Sequence, residues 1–249
     1  EFVLFANCDD DCETRMIERL VNAMHAHPSA GIAFCRSLMV DDEDKTLGDD
    51  FTDREVSFRC RCAQDTLLSG AEMGKFLLHS CVIPNLSAAL FRRTCFDAAG
   101  GLSPRFRVCS DWEFFFRLVR ETDVSYVAEP LNRFRQHDRT IRSSTRGRII
   151  YHEYIELLSE QVHTQPLTRT ERARFRARLM YLWADYIIDS SGAGLRDFTY
   201  HLKLVWKNDW IALLSLAPAA ALRIAVVTVK VIVGSSLLKP DRKSERHQN

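Results

Sequence analysis

Near the start of the chain, Asn7-Cys8-Asp9-Asp10-Asp11 sets three carboxylates side by side, directly after the apolar run Phe2 to Ala6. Like charges this close repel, and a divalent cation held among them is the chemistry that would make the cluster favourable. Mg²⁺ or Mn²⁺ there would bridge a diphosphate. The competing reading is structural: Asp11 and Glu13 cap the following helix and complement its dipole. A second group, Cys109-Ser110-Asp111-Trp112-Glu113, opens a helix carrying Phe114, Phe115 and Phe116. Ser110 and Glu113 have the S-x-x-E spacing of a capping box, which accounts for both. Asp111 is left over, and a carboxylate beside a metal-bound diphosphate suits the general base for an attacking hydroxyl, just as it suits an ordinary first helical turn. A third group, Arg133-Phe134-Arg135-Gln136-His137, puts Arg133, Arg135 and His137 on one face of a strand by period two. Cations and an imidazole there face phosphates or complete a metal site; a plain surface histidine is the alternative.

These residues need elements to hold them. Phe2 to Ala6 reads as a buried strand, and such a strand needs neighbours on both sides, so the sequence is expected to begin partway into a longer domain. Ile17, Leu20, Val21 and Met24 recur at helical spacing, His27-Pro28 ends that helix, and Ile32 to Val40 reads as the next strand, completing a βαβ unit. From Gly48 to Thr66 the pattern is polar and irregular and predicts a long surface loop. A short helix is expected over Gly70 to His79, a strand over Leu86 to Phe91, and a helical turn over Thr94 to Ala99 stopped by Gly100-Gly101. A helix over Asp111 to Arg120 comes next, then two short strands, Val124 to Val127 and Leu131 to Phe134, around Pro130. Alternating strands and helices make this an α/β sandwich. Beyond Gly147 the pattern turns helical, over Tyr151 to Val162 and Glu171 to Ile188, with a Ser190 to Gly194 linker before a last helical region. The expected division is therefore residues 1–147 and 148–249.

The order of these signals is more specific than any one of them. A strand ending in aspartates, then helix and strand, then Ser-Asp-Trp opening an aromatic helix, then Glu129-Pro130-Leu131 and Arg133-x-Arg135-Gln136-His137 resembles the family 2 glycosyltransferases over Phe2 to Arg142. The resemblance implies a GT-A-like nucleotide-diphospho-sugar transferase sandwich, Rossmann-like, lacking its first βαβ segments and followed by a C-terminal helical region. It aligns Ala6-Asn7-Cys8-Asp9-Asp10 with the family's Leu-Asp-x-Asp-Asp, which implies Asp9 as metal ligand, with Asn7 standing where the family has Asp. Asn7, Asp10 and Arg135 would then lie at the donor diphosphate and His137 at the metal. Asp111 would be the base, and Gly101 and Trp112 would lie toward the acceptor. The implied activity is an inverting, Mg²⁺- or Mn²⁺-dependent transfer from a nucleotide-sugar donor to a glycan or lipid-linked acceptor, in polysaccharide or cell-surface glycan synthesis. Asn7 keeps a second reading open, a noncatalytic remnant or carbohydrate-binding module.

Bulk properties agree. With 249 residues, 46% apolar, the chain buries a core of normal size. The net charge of +1 is spread as an acidic early segment and a basic C-terminal tail, which argues against nucleic-acid partners. The eight cysteines are irregularly spaced, without paired CxxC, and read as reduced core thiols of a cytoplasmic protein. Trp206 to Leu238 is apolar but interrupted by Pro218, Arg223 and Lys230, and its longest charge-free stretch is too short to span a bilayer. That suits a helix lying peripherally on the inner face of the plasma membrane, or a helical subdomain packed on protein.

Overall fold

The apolar run at the start forms a strand, β1 (Phe2–Leu4), and the helical-period segment after the aspartates forms α1 (Met16–Ala26), in a computed structural model. The structure describes residues 1–136, 147–189 and 195–215, with 218, 221, 222 and 225 beyond. Two residues, Asp11–Cys12, make β2 before α1. The remaining strands are β3 (Ala30–Val40), β4 (Thr46–Asp49), β5 (Thr66–Leu68), β6 (Ala89–Arg92) and β7 (Asp123–Arg135). Helices α2 (Val56–Arg61), α3 (Gly70–His79), α4 (Arg93–Ala99) and α5 (Ser110–Leu118) lie between them. Helices α6 (Gly147–Thr164), α7 (Arg169–Asp189) and α8 (Leu195–Asp209) follow.

The seven strands form one mixed sheet in the order β1-β6-β3-β7-β2, with β4 added to β3 and β5 to β7. β6 runs antiparallel to both β1 and β3, so those two are parallel with β6 between them, and β3 is parallel to β7. The βαβ unit is thus split by a later strand. All three parallel strands end at one edge of the sheet, where open α/β folds place ligands. The architecture is the expected α/β sandwich, followed in sequence by a helical region.

Period two sorts the core. Ala33 and Cys35 of β3, Leu90 of β6 and Val127 of β7 face α1, where Met16, Leu20 and Met24 cover them. The intervening Phe34 and Tyr126 pack on the opposite face at 5.0 Å between ring centroids, with Phe58 of α2 edge-on to Tyr126. Phe91 meets Phe114 of α5 at 5.5 Å. Strand β3 is covered on both faces, which explains why its sequence is an apolar run rather than an alternation.

Two expectations of secondary structure change. The stretch 48–66 is not a loose loop: it holds the end of β4, α2 and the start of β5, and Phe58 is buried in the core. There Asp50 accepts the Ser37 N–H at 2.6 Å and pairs with Arg54 at 3.0 Å, while burial pushes its carboxyl above the ordinary aspartate range. The two short strands around Pro130 are one strand, β7. Its pairing with β3 shifts register on both sides of Arg36, opposite Pro130, and an irregularity of that kind admits a residue without an N–H. The chain forms two compact units, Glu1–Phe175, which includes α6, and Arg176–Asn249. The Ser190 to Gly194 linker lies outside the described residues. None of the eight cysteines forms a disulfide, and only Cys35, Cys62 and Cys109 are buried; Cys8, Cys12 and Cys60 are exposed and are not the core thiols expected.

Candidate functional site

Just past the end of β1 the chain turns through Asn7 to Asp10, and the carboxylate of Asp10 points inward. Its Oδ2 accepts hydrogen bonds from Asn7 Nδ2 and Asn85 Nδ2, each at 2.9 Å, and from the Ser87 hydroxyl. Its Oδ1 accepts the backbone N–H of Arg135 at 3.1 Å. Asn85 in turn caps the 3₁₀ turn Leu86–Ala88 by accepting the Ala88 N–H, and accepts from the buried Asn132 amide at 3.2 Å. Asn132 also donates to Ser37 at 2.9 Å. A half-buried carboxylate with four donors is satisfied by protein alone, so Asp10 is the keystone of the turn.

Arg135, at the end of β7, ties the acidic segments together. Its Nε donates to the Asp9 carbonyl at 2.9 Å, and its two terminal nitrogens reach the Asp41 carbonyl and the Asp44 carboxylate, each at 2.5 Å. The guanidinium holds the Asp44 carboxyl below the usual carboxylate range. Arg133 lies opposite Asp11 in the β2–β7 register and 3.6 Å from Glu13. The structure therefore brings Asn7, Asp9, Asp10 and Arg135 into one cluster. His137 lies outside the described residues.

Asp9 is exposed at the tip of the turn. Among the described residues, no three His, Cys, Asp or Glu side chains converge as a metal-ligand set. Mg²⁺ and Mn²⁺ at nucleotide diphosphates take one or two protein carboxylates and fill the rest of the shell with phosphate oxygens and water. A single carboxylate on a turn pinned by Arg135 fits a cation of that kind, whereas Asp10, with its oxygens already engaged, does not offer itself.

The second group sits at the start of α5. The capping box expected from Ser110 and Glu113 is not formed: Cys109 is the cap, and Glu113 turns along the helix to Arg117 at 2.8 Å. The cap is supplied from elsewhere. Glu153 of α6, with only 9% of its surface exposed, accepts the backbone N–H groups of Arg107, Val108 and Cys109 at 2.8, 2.7 and 2.9 Å. Three successive N–H groups at a helix start make a natural seat for an anion, and here a buried carboxylate takes it. Glu156 and Glu160 project from the same face of α6 and hold Arg105, whose affinity for its proton rises through the bond to Glu160.

Asp111 follows directly, its Oδ1 accepting the Trp112 N–H at 2.7 Å. Trp112 is 6% exposed, donates its indole N–H to Leu77 O at 3.0 Å and stacks with Phe116, so its side chain belongs to the core under α5. Gly101 and Gly100 both have φ near +70° (68° and 77°), the left-handed conformation that glycine adopts without strain. Arg117 donates to the carbonyls of Ala99 and of Gly101, the latter at 2.7 Å, which fixes that turn to α5. Phe5, Phe96 and Phe114 join the two groups through ring contacts of 5.7 and 5.3 Å.

Sequence reasoning missed Asn85, Ser87, Arg117 and Glu153. Asn85 and Ser87 had a faint signal, as polar residues inside the apolar run Cys81 to Leu90. Glu153, one of many acids on a helix and 44 residues from its partner, had none.

No protein-family model matches the sequence, and no curated protein matches it. Solved structures do. The chain is similar to S. aureus TarS, residues 1–349, in complex with UDP-GlcNAc, with a TM-score of 0.60 and 12% identity over 90% of this chain. A second S. aureus TarS structure gives a TM-score of 0.56 at 13% identity, again over 90% of this chain. The chain spans 65% of the first and 38% of the second. At such identity the likeness establishes the fold, a glycosyltransferase-like nucleotide-sugar transferase fold.

Proposed function

We propose that this chain is the catalytic part of a glycosyltransferase that moves a sugar from a nucleoside-diphosphate donor to an acceptor hydroxyl, with inversion. The observation that carries the reading is the pinned acidic turn at the shared end of the parallel strands β1, β3 and β7, in a fold similar to one crystallised with UDP-GlcNAc. Asp9 and His137 would hold Mg²⁺ or Mn²⁺, which when bound neutralises the departing diphosphate. Asn7 and Asp10 shape the turn beneath it, and Arg135 keeps the turn closed. Asp111, presented by the Glu153-seated start of α5, takes the proton from the acceptor hydroxyl as it attacks. Gly101 shapes the neighbouring turn, and Trp112 sets the height of Asp111 over the core. The acceptor is read as a surface glycan or a lipid-linked saccharide.

One observation favours a noncatalytic reading: the Asn7 amide is spent on Asp10, where the aligned family position carries a carboxylate. Calorimetric titration with nucleoside diphosphates, with and without Mn²⁺, separates the two. Metal-dependent binding that disappears in Asp9→Ala supports the transferase. A folded chain that binds no nucleoside diphosphate overturns it and leaves the noncatalytic reading.

A further inference from the structure

Among its described residues, the second unit carries a row of large exposed apolar side chains. On α8 Val205 is fully buried, yet Trp206 is 65% exposed, Trp210 just beyond it 56%, and Leu214 a turn later 73%. Exposed aromatic and aliphatic side chains this large, on successive turns, mark a docking face. Lys203 and Lys207, both exposed, are interleaved with the tryptophans. Within α8, at 3.6 residues per turn, positions 203, 206 and 207 fall within roughly 100° of arc, and Val205 points the opposite way.

This mixture selects the partner. The core of a protein interface takes tryptophan but excludes lysine. The water–lipid boundary takes both: indole rings settle at headgroup level and lysine stems lie along the apolar surface while their ammonium groups reach phosphate. The charge of the following sequence runs the same way, with Arg223, Lys230, Lys239, Arg242, Lys243 and Arg246 against Asp241 and Glu245. Among the described residues no helix is long and apolar enough to cross a membrane.

We propose that α8 and the turn after it dock on an anionic lipid bilayer, with Trp206 and Trp210 in the interfacial layer and Lys203 and Lys207 on headgroup phosphates. The proposal stands apart from the catalytic reading, since binding is measured without turnover.

Flotation of the intact chain with vesicles of phosphatidylcholine alone, and of phosphatidylcholine mixed with phosphatidylglycerol, tests it. Binding is expected only to the mixed vesicles, with a blue shift of tryptophan emission and release at high salt. Lys203→Glu with Lys207→Glu should weaken partitioning on the order of tenfold or more. Trp206→Ser with Trp210→Ser should abolish the blue shift while the circular dichroism spectrum stays unchanged. No flotation with either vesicle, or equal binding by the charge-reversed variant, overturns the proposal. Self-association in sedimentation that vanishes with the tryptophan replacements, without vesicle binding, assigns the face to a second copy of the chain instead.

Discussion

Asp10 and Arg135 hold each other from opposite ends of the sequence: the carboxylate of Asp10 accepts the backbone N–H of Arg135 at 3.1 Å, and the Arg135 guanidinium returns to the carbonyl of Asp9 at 2.9 Å. The turn after β1 and the end of β7 are thereby one rigid corner. Replacing Asp10 by Asn sets a second amide against donors that already converge there. Asp10→Asn is expected to lose about 2 kcal/mol of stability, read by chemical denaturation, and to weaken nucleotide binding with it.

Asp111 is placed differently, its proposed role being chemical. Asp111→Asn keeps the shape and the first-turn position while removing the proposed base. Turnover should fall by roughly 10² to 10⁴-fold, with nucleotide affinity and unfolding midpoint unchanged. A loss of donor binding in calorimetry would move Asp111 from the acceptor side to the donor side.

In the proposed reaction Glu153 would act through Asp111, by seating the start of α5. Glu153→Gln keeps one acceptor oxygen but turns an amide toward backbone N–H groups, and should cost about 2 kcal/mol. In a double-mutant cycle on turnover with Asp111→Asn, the Glu153 effect should nearly vanish once the base is gone. Additive losses would show that Glu153 supports the fold alone.

Glu171 gives a pH signature. Its bond from Lys75, aided by Thr168, lowers its carboxyl from 4.5 to about 2. A carboxyl depressed on folding contributes stability above its unfolded value, and that contribution drains away as pH falls toward 2. Thermal unfolding should show the gap between the natural protein and Glu171→Gln closing between pH 5 and pH 2.

Gly100, at φ 77°, ends α4 in the left-handed conformation. Gly100→Ala should cost about 1 kcal/mol, and more for a β-branched residue, measured by denaturation.

What could be read in the sequence was what repeats locally. Helix α3 has the bounds its pattern indicated, Gly70 to His79, and α1, β3 and α5 differ from expectation only at their ends. Strands of two to four residues, such as β2, β4 and β5, are too short for any period to declare itself. Helix α2 escaped because Val56 is exposed and Phe58 is the single residue it buries. In the candidate site, the cluster of Asn7, Asp9, Asp10 and Arg135 was legible as residues, but not the division of labour within it, since which aspartate turns inward depends on Asn85 and Ser87 arriving from elsewhere in the chain. The capping box failed for the same reason: Ser110 and Glu113 have the right spacing, but Arg117 and Glu153 offered each end a better partner.

The parallel pairing of β3 with β7 also sets a timetable. Ala30 meets Asp123 and Val40 meets Arg135, so each rung closes a loop of more than ninety residues, an entropic cost that local helices never meet. Until Arg135 has been synthesised and its strand has slotted between β3 and β2, Asp10 lacks its fourth donor and Asp9 its anchor. On the ribosome, the first helix and hairpins gather early, and the corner that joins Asp9 and Asp10 to Arg135 is the part of the first unit that waits for late sequence.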